Sequence, residues 1–262
     1  MSSDPVILTI DGAVATITLN RPAVGNVVDM ALARGLLNAA IACDQNAALR
    51  CVVLTGAGKL FCGGGDLSAF AEVGEGIPAF LSELAGTLHL AISRLMRMAK
   101  PLLVLVNGPA AGAGLSLSLI GDVVLAPDTA HFTAAYASVG LSPDGGMSWL
   151  LPRLVGVRRA QEIILSNRRI TAAAAAEMGM ITRAVPADDL AEEGREQARI
   201  LAAAPTAALA SARALLLDSF DRPLEGHLER EARSIAAMGD TQDCREGVTA
   251  FAQRRKPLFS GR

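Results

Sequence analysis

The chain is predicted to be an α/β protein, on three observations. Short, wholly apolar runs at 51–55, 102–106 and 123–126 have the composition of strands covered on both faces. The first two end in glycine-rich loops, GAGKLFCGGGDL and NGPAAGAG, that open into helical stretches. After Pro205 the pattern is helical throughout.

Taken in order, residues 6–10 and 14–19 are alternating β-branched runs joined at Asp11-Gly12, a hairpin signal. Asp29 is placed to cap an amphipathic helix running to about residue 43. A strand at 51–55 and its glycine loop lead to a helix at about 78–98. Lys100-Pro101 then introduces the second buried strand. Its loop opens into an apolar helix at 115–120, followed by the third strand. The segment GLSPDGGMSW leads into a helix near 147–154. The stretches AALASARALLLDSF, LEREARSIAAM and DCREGVTAFAQRR form the helical tail, with apolar stripes too narrow for a core of their own. This divides the chain into a core of residues 1–204 and a helical region of residues 205–262.

The 262 residues are 51% hydrophobic and 19% charged, enough for a large core, while aromatics reach only 3% and leave small aliphatic side chains to fill it. A net charge of −2 without a basic stripe argues against nucleic acid or an anionic membrane as partner. Cys43, Cys51, Cys62 and Cys244 follow neither a disulfide framework nor zinc spacing. The opening MSSDPVILTIDG lacks the basic and apolar regions of a secretion signal, and no apolar run spans a membrane. A cytoplasmic protein is expected.

Familiar motifs fail. A phosphate loop needs glycine at Val53 and a hydroxyl at Leu60. The dinucleotide fingerprint is broken by Phe61 in one glycine loop and by Leu117 in the other. No serine lies in a nucleophile elbow. His89, His131 and His227 are far apart and read as surface or packing residues. What remains is Gly63-Gly64-Gly65, Gly112-Ala113-Gly114 and Asp144. The glycines either permit tight strand-to-helix turns or aim backbone N–H groups into a cleft as an oxyanion hole. Asp144, between Pro143 and Gly145-Gly146, either completes a turn or moves a proton.

The stretches LNRPAVGNVVD, LTGAGKLFCGGGDL, KPLLVLVNGPAAGAGLSLSLIGDVVLA, GLSPDGGMSWLLPRLVG and EGVTAFAQRRKPLFSGR resemble the enoyl-CoA hydratase/isomerase (crotonase) family over nearly the whole chain. The resemblance implies a ββα superhelix with a C-terminal helical trimerisation region, and thus a homotrimer or homohexamer. It implies acyl-CoA substrates, with coenzyme A present only as part of the thioester and no separate cofactor or metal. By position the thioester oxygen would lie between the N–H groups of Gly65 and Ala113. The family usually has glycine at the second position, and alanine keeps the donor. Coenzyme A would cross Ala23-Val24 and the loop through Gly63, Asp66 and Leu67, with its phosphates or adenine near Lys256 and Phe259; a solvated basic tail is the other reading of that last pair.

Family hydratases carry two glutamates where this chain has Ser116 and Tyr136, so neither hydratase carboxylate is present. Asp144 stands where some isomerases and dehalogenases of the family keep their single acid. The expected activity is a double-bond shift from 3-enoyl-CoA to 2-enoyl-CoA with Asp144 as proton shuttle. Alternatives are a hydratase, lyase or dehalogenase, a serine hydrolase with Ser116 and His131, or a non-catalytic RNA-binding relative.

Overall fold

The computed structural model describes residues 4–262. Alternating side chains about Asp11-Gly12 fold β1 (Val6–Asp11) antiparallel onto β2 (Val14–Leu19). The apolar runs become β3 (Cys51–Gly56), β4 (Leu102–Leu105) and β6 (Val123–Pro127), all parallel to β2. With β9 (Arg183–Val185) at the far edge, they make a six-stranded sheet in the order β1-β2-β3-β4-β6-β9. A second sheet holds β5 (Ala110–Ala111), β7 (His131–Thr133) and β8 (Ile170–Thr171), in the order β5-β7-β8.

Parallel strands need helical crossovers, and those helices bury both faces of the large sheet. Leading off, α1 (Met30–Gln45) is capped by the Asp29 carboxylate, which accepts the Leu32 N–H at 2.8 Å. After the first glycine loop come α2 (Leu67–Val73) and α3 (Ile77–Arg97). Along β3, Val52 and Leu54 face one way, into the main core with Leu36 of α1 and Leu95 of α3. Cys51 and Val53 face the other way, with Leu103 and Leu125, and meet Leu190 and Ala198 of α8 (Leu190–Ala203). That two-sided burial explains why these strands are apolar over most of their length and do not alternate.

Two successive β-β-α units are explicit. In the first, β4 and β5 run into α4 (Ala113–Ser118). In the second, β6 and β7 lead to α5 (Met147–Val155) and α6 (Val157–Ser166). A further turn is β8 with α7 (Ala172–Glu177) before β9.

The tail consists of α9 (Thr206–Asp218), α10 (Leu224–Gly239) and α11 (Gln242–Ala252). Arg213 of α9 pins it to the core, pairing with Asp122 at 2.6 Å and donating to the carbonyls of Met98 and Lys100 at 2.5 Å. Leu216, Phe220, Leu224, Ile235, Val248 and Phe251 of this region are exposed. No single helix among the described residues is long and apolar enough to cross a membrane.

Candidate active site

The two glycine loops leave the finishing ends of neighbouring strands β3 and β4, so the fold brings them together. The Ala111 N–H donates to the Cys62 carbonyl at 3.0 Å, and Cys62 bridges to Ala110. The approach is so close that a Cβ on Gly114 would lie 2.1 Å from the Cys62 carbonyl oxygen; only glycine fits. Amides around the junction are engaged: Gly63 N–H donates to Gly25, Asp66 N–H to Val28 and Gly112 N–H to Thr133, at 2.9, 3.0 and 3.1 Å. Those of Gly65 and Ala113 have no acceptor among the described residues. Ala113 is the first residue of α4, where helix geometry leaves the N–H unpaired and the dipole positive. Both residues line one cavity of about 500 Å³. Two free main-chain donors on one cavity suit an oxygen that gains negative charge during reaction.

The cavity walls are mostly apolar, including Val28, Phe70, Leu81, Leu84, Leu88 and Leu141. Phe70 is braced edge-on by Phe80, ring centres 5.9 Å apart. Cys62, within the first glycine loop, is fully buried, and that burial pushes its thiol up to about 12. Among the described lining residues Asp144 alone carries a charged side chain.

Asp144 does sit in a turn, since its carbonyl accepts the Met147 N–H at 3.1 Å and Gly145 follows with φ +61°. Its carboxylate nevertheless reaches the cavity. The Tyr136 hydroxyl donates to Oδ1 at 2.5 Å, and the Ser116 hydroxyl donates to the Asp144 carbonyl at 2.8 Å. Burial, reinforced by the Asp144 charge, holds the Tyr136 phenol well above its ordinary range, so it stays a donor. The hydroxyls of Ser116 and Tyr136 therefore both attach to Asp144.

His89 of α3, which the sequence marks only as a packing or surface residue, is also here. The Gly145 N–H donates to its Nε2 at 3.0 Å. Nε2 lies 3.7 Å from Asp144 Oδ2, a neighbour but not a hydrogen-bond partner. No local signal marks His89, which is half-exposed and lies beside the buried stripe of its helix. His131 lies on β7, and the hydroxyl of the fully buried Ser116 engages Gly112, Tyr136 and Asp144 with no histidine among its partners. The pairing that a serine nucleophile needs is not assembled.

The residues expected to meet coenzyme A fall into two groups. Gly63 and the half-exposed Leu67 line the cavity, and Ala23 and Val24 are exposed on the short turn Pro22–Val24. Asp66 is engaged structurally, capping α2 through the Ala69 N–H and pairing with Arg21 at 3.3 Å. Lys256 and Phe259 lie elsewhere: Arg50, at the start of β3, holds the Phe259 carbonyl at 2.8 Å. Within one chain the tail therefore packs at the opposite end of β3 from the glycine loop.

The family model for enoyl-CoA hydratase/isomerase matches residues 9–262. A Rhodobacter capsulatus protein described as "Probable enoyl-CoA hydratase" is 40% identical over 262 residues, covering 100% of both chains. The 1,2-epoxyphenylacetyl-CoA isomerase of Escherichia coli is 34% identical, covering 98% of each. The crystal structure of an enoyl-CoA hydratase from Polaromonas sp. JS666 superimposes with a TM-score of 0.93 at 31% identity, covering 97% of this chain and 99% of that one. Motif order, paired sheets and end-to-end matches agree: the chain has the crotonase fold and belongs to the enoyl-CoA hydratase/isomerase family.

Proposed function

We propose that this chain is an enoyl-CoA isomerase that moves a double bond from the 3 to the 2 position of an acyl-CoA thioester. The observation that carries the reading is the lone carboxylate: Asp144 is the one charged side chain among the described lining residues, and it is met by the hydroxyls of Ser116 and Tyr136, which the family resemblance puts in place of the hydratase glutamates. Hydration asks for one group to activate water and another to manage the α-proton, whereas a 1,3 proton shift needs one base used twice. The thioester oxygen is received by the Gly65 and Ala113 N–H groups, which stabilise the dienolate as charge moves onto it. Asp144 takes the proton from C2 and returns it at C4.

The acyl group is apolar and uncharged in this reading. No lysine or arginine is among the described lining residues, so a substrate carboxylate would be buried unpaired beside Asp144. The exposed Leu216, Phe220, Ile235 and Phe251 support assembly as a trimer or a dimer of trimers, which also offers one subunit's Lys256 and Phe259 to another's coenzyme A. Light scattering at micromolar concentration reads the assembly, and a monomer overturns it.

The activity is tested with purified protein on a panel of 3-enoyl-CoA and 2-enoyl-CoA thioesters, including one 3-enoyl-CoA with a terminal carboxylate. Isomerisation of the neutral 3-enoyl substrates should exceed hydration of every 2-enoyl substrate, and the carboxylate should lower kcat/KM by about a hundredfold. Faster hydration than isomerisation rejects the assignment.

A further inference from the structure

We infer that Tyr136 is a positioning residue that makes Oδ2 of Asp144 the proton-transferring oxygen. The inference rests on the reading of Asp144 as the base, and it follows from counting protons around that carboxylate. Tyr136 has one hydroxyl proton and directs it to Oδ1 at 2.5 Å, the short geometry of a charge-assisted bond. Ser116 has one hydroxyl proton and directs it to the Asp144 carbonyl at 2.8 Å; its oxygen meets the Tyr136 oxygen at 3.2 Å with no proton left over. One residue is thus held at its main chain and at one carboxylate oxygen. Oδ2 has no donor among the described residues. Its neighbour His89 Nε2, 3.7 Å away, presents a lone pair already taken by the Gly145 N–H.

This arrangement suits a proton that must leave and return. At C2 the C–H bond breaks, an O–H bond forms at Oδ2, and the electron pair enters the dienolate. At C4 the Oδ2–H bond breaks and a C–H bond forms. A carboxylate free to rotate could carry the proton away from the substrate between the two steps. The Tyr136 bond opposes that rotation and disfavours protonation at Oδ1. Tyr136 and His89 are the titratable side chains in contact with the carboxylate. Tyr136 remains protonated across the neutral range, because burial and the Asp144 charge both oppose its ionisation.

Tyr136 is the single tyrosine of the chain, which gives two independent tests. In the full-length protein, Tyr136→Phe should lower kcat by about tenfold and move the acid limb of the kcat/KM profile up by about one pH unit, since a carboxylate that loses a donor binds a proton more readily. Biosynthetic replacement of tyrosine by 3-fluorotyrosine changes this side chain alone, to a more acidic phenol and stronger donor. It should move the same limb to lower pH. Opposite displacements support the inference. A slower Tyr136→Phe enzyme with an unmoved limb makes Tyr136 a packing residue and overturns it, as does an unmoved limb with fluorotyrosine. Full activity in Asp144→Asn removes the base itself, and so separates failure of the proposed function from failure of the tyrosine's role.

Discussion

Gly65 and Ala113 enter the site through their main chain, whereas Asp144 is placed by the side chains of Ser116, Tyr136 and His89. The first arrangement is held by strand-to-strand bridges and by a glycine packed onto the Cys62 carbonyl. It asks only that certain positions lack bulk and keep an N–H, so alanine stands at 113 without loss of the donor. The second depends on individual hydrogen bonds at a partly exposed turn, any of which one substitution removes. The main-chain donors of the cavity are thus a property of the fold, and the placement of its carboxylate a property of a few named side chains.

The sharpest way to break the side-chain half is Asp144→Asn, which keeps the shape and removes the base. It should lower kcat for isomerisation by about a thousandfold with little change in Tm, measured on a neutral 3-enoyl-CoA. A variant near wild type would return Asp144 to the role of a turn residue.

The main-chain half is tested by Ala113→Pro. Proline is tolerated at the first position of a helix, and there its missing N–H costs no helical hydrogen bond. The variant should fold and lose about a hundredfold in kcat, while Ala113→Gly keeps the donor and stays close to wild type. Equal activity for the two would show that the Ala113 N–H does not receive the thioester.

A smaller effect separates His89 from simple packing. His89→Ala leaves the Gly145 N–H without its acceptor and should cost about fivefold in kcat/KM. In His89→Gln the amide oxygen can accept that N–H, and most of the activity should return. If glutamine and alanine behave alike, the imidazole contributes something other than that one hydrogen bond.

Much of the fold and of the candidate site is legible in the amino-acid sequence. The hairpin about Asp11-Gly12, the Asp29 cap and the three parallel strands follow from period, turn chemistry and capping, all contained within a dozen residues. Asp144 and the pair Gly65/Ala113 stand out, the acid by its isolation and the loops by their glycines and the family resemblance. The second sheet does not: β5 and β8 are two residues each, too short to carry a period. Asp66 reads as a coenzyme A contact, but its carboxylate is committed to Arg21 and to the α2 amide, because a helix N-terminus and a nearby guanidinium both attract an anion.

The order of elements and the chemistry available to them are therefore determined by the sequence itself, since strand burial, glycine turns and helix caps depend on near neighbours. Which groups share the carboxylate is decided only by the tertiary structure. Gly145 and His89 are 56 residues apart and Ser116 and Asp144 are 28 apart, so their meeting depends on how α3 and α4 pack around one cavity. Periodicity can say that a side chain lies on the inner face of its helix. It cannot say which turn from elsewhere in the chain will be waiting there.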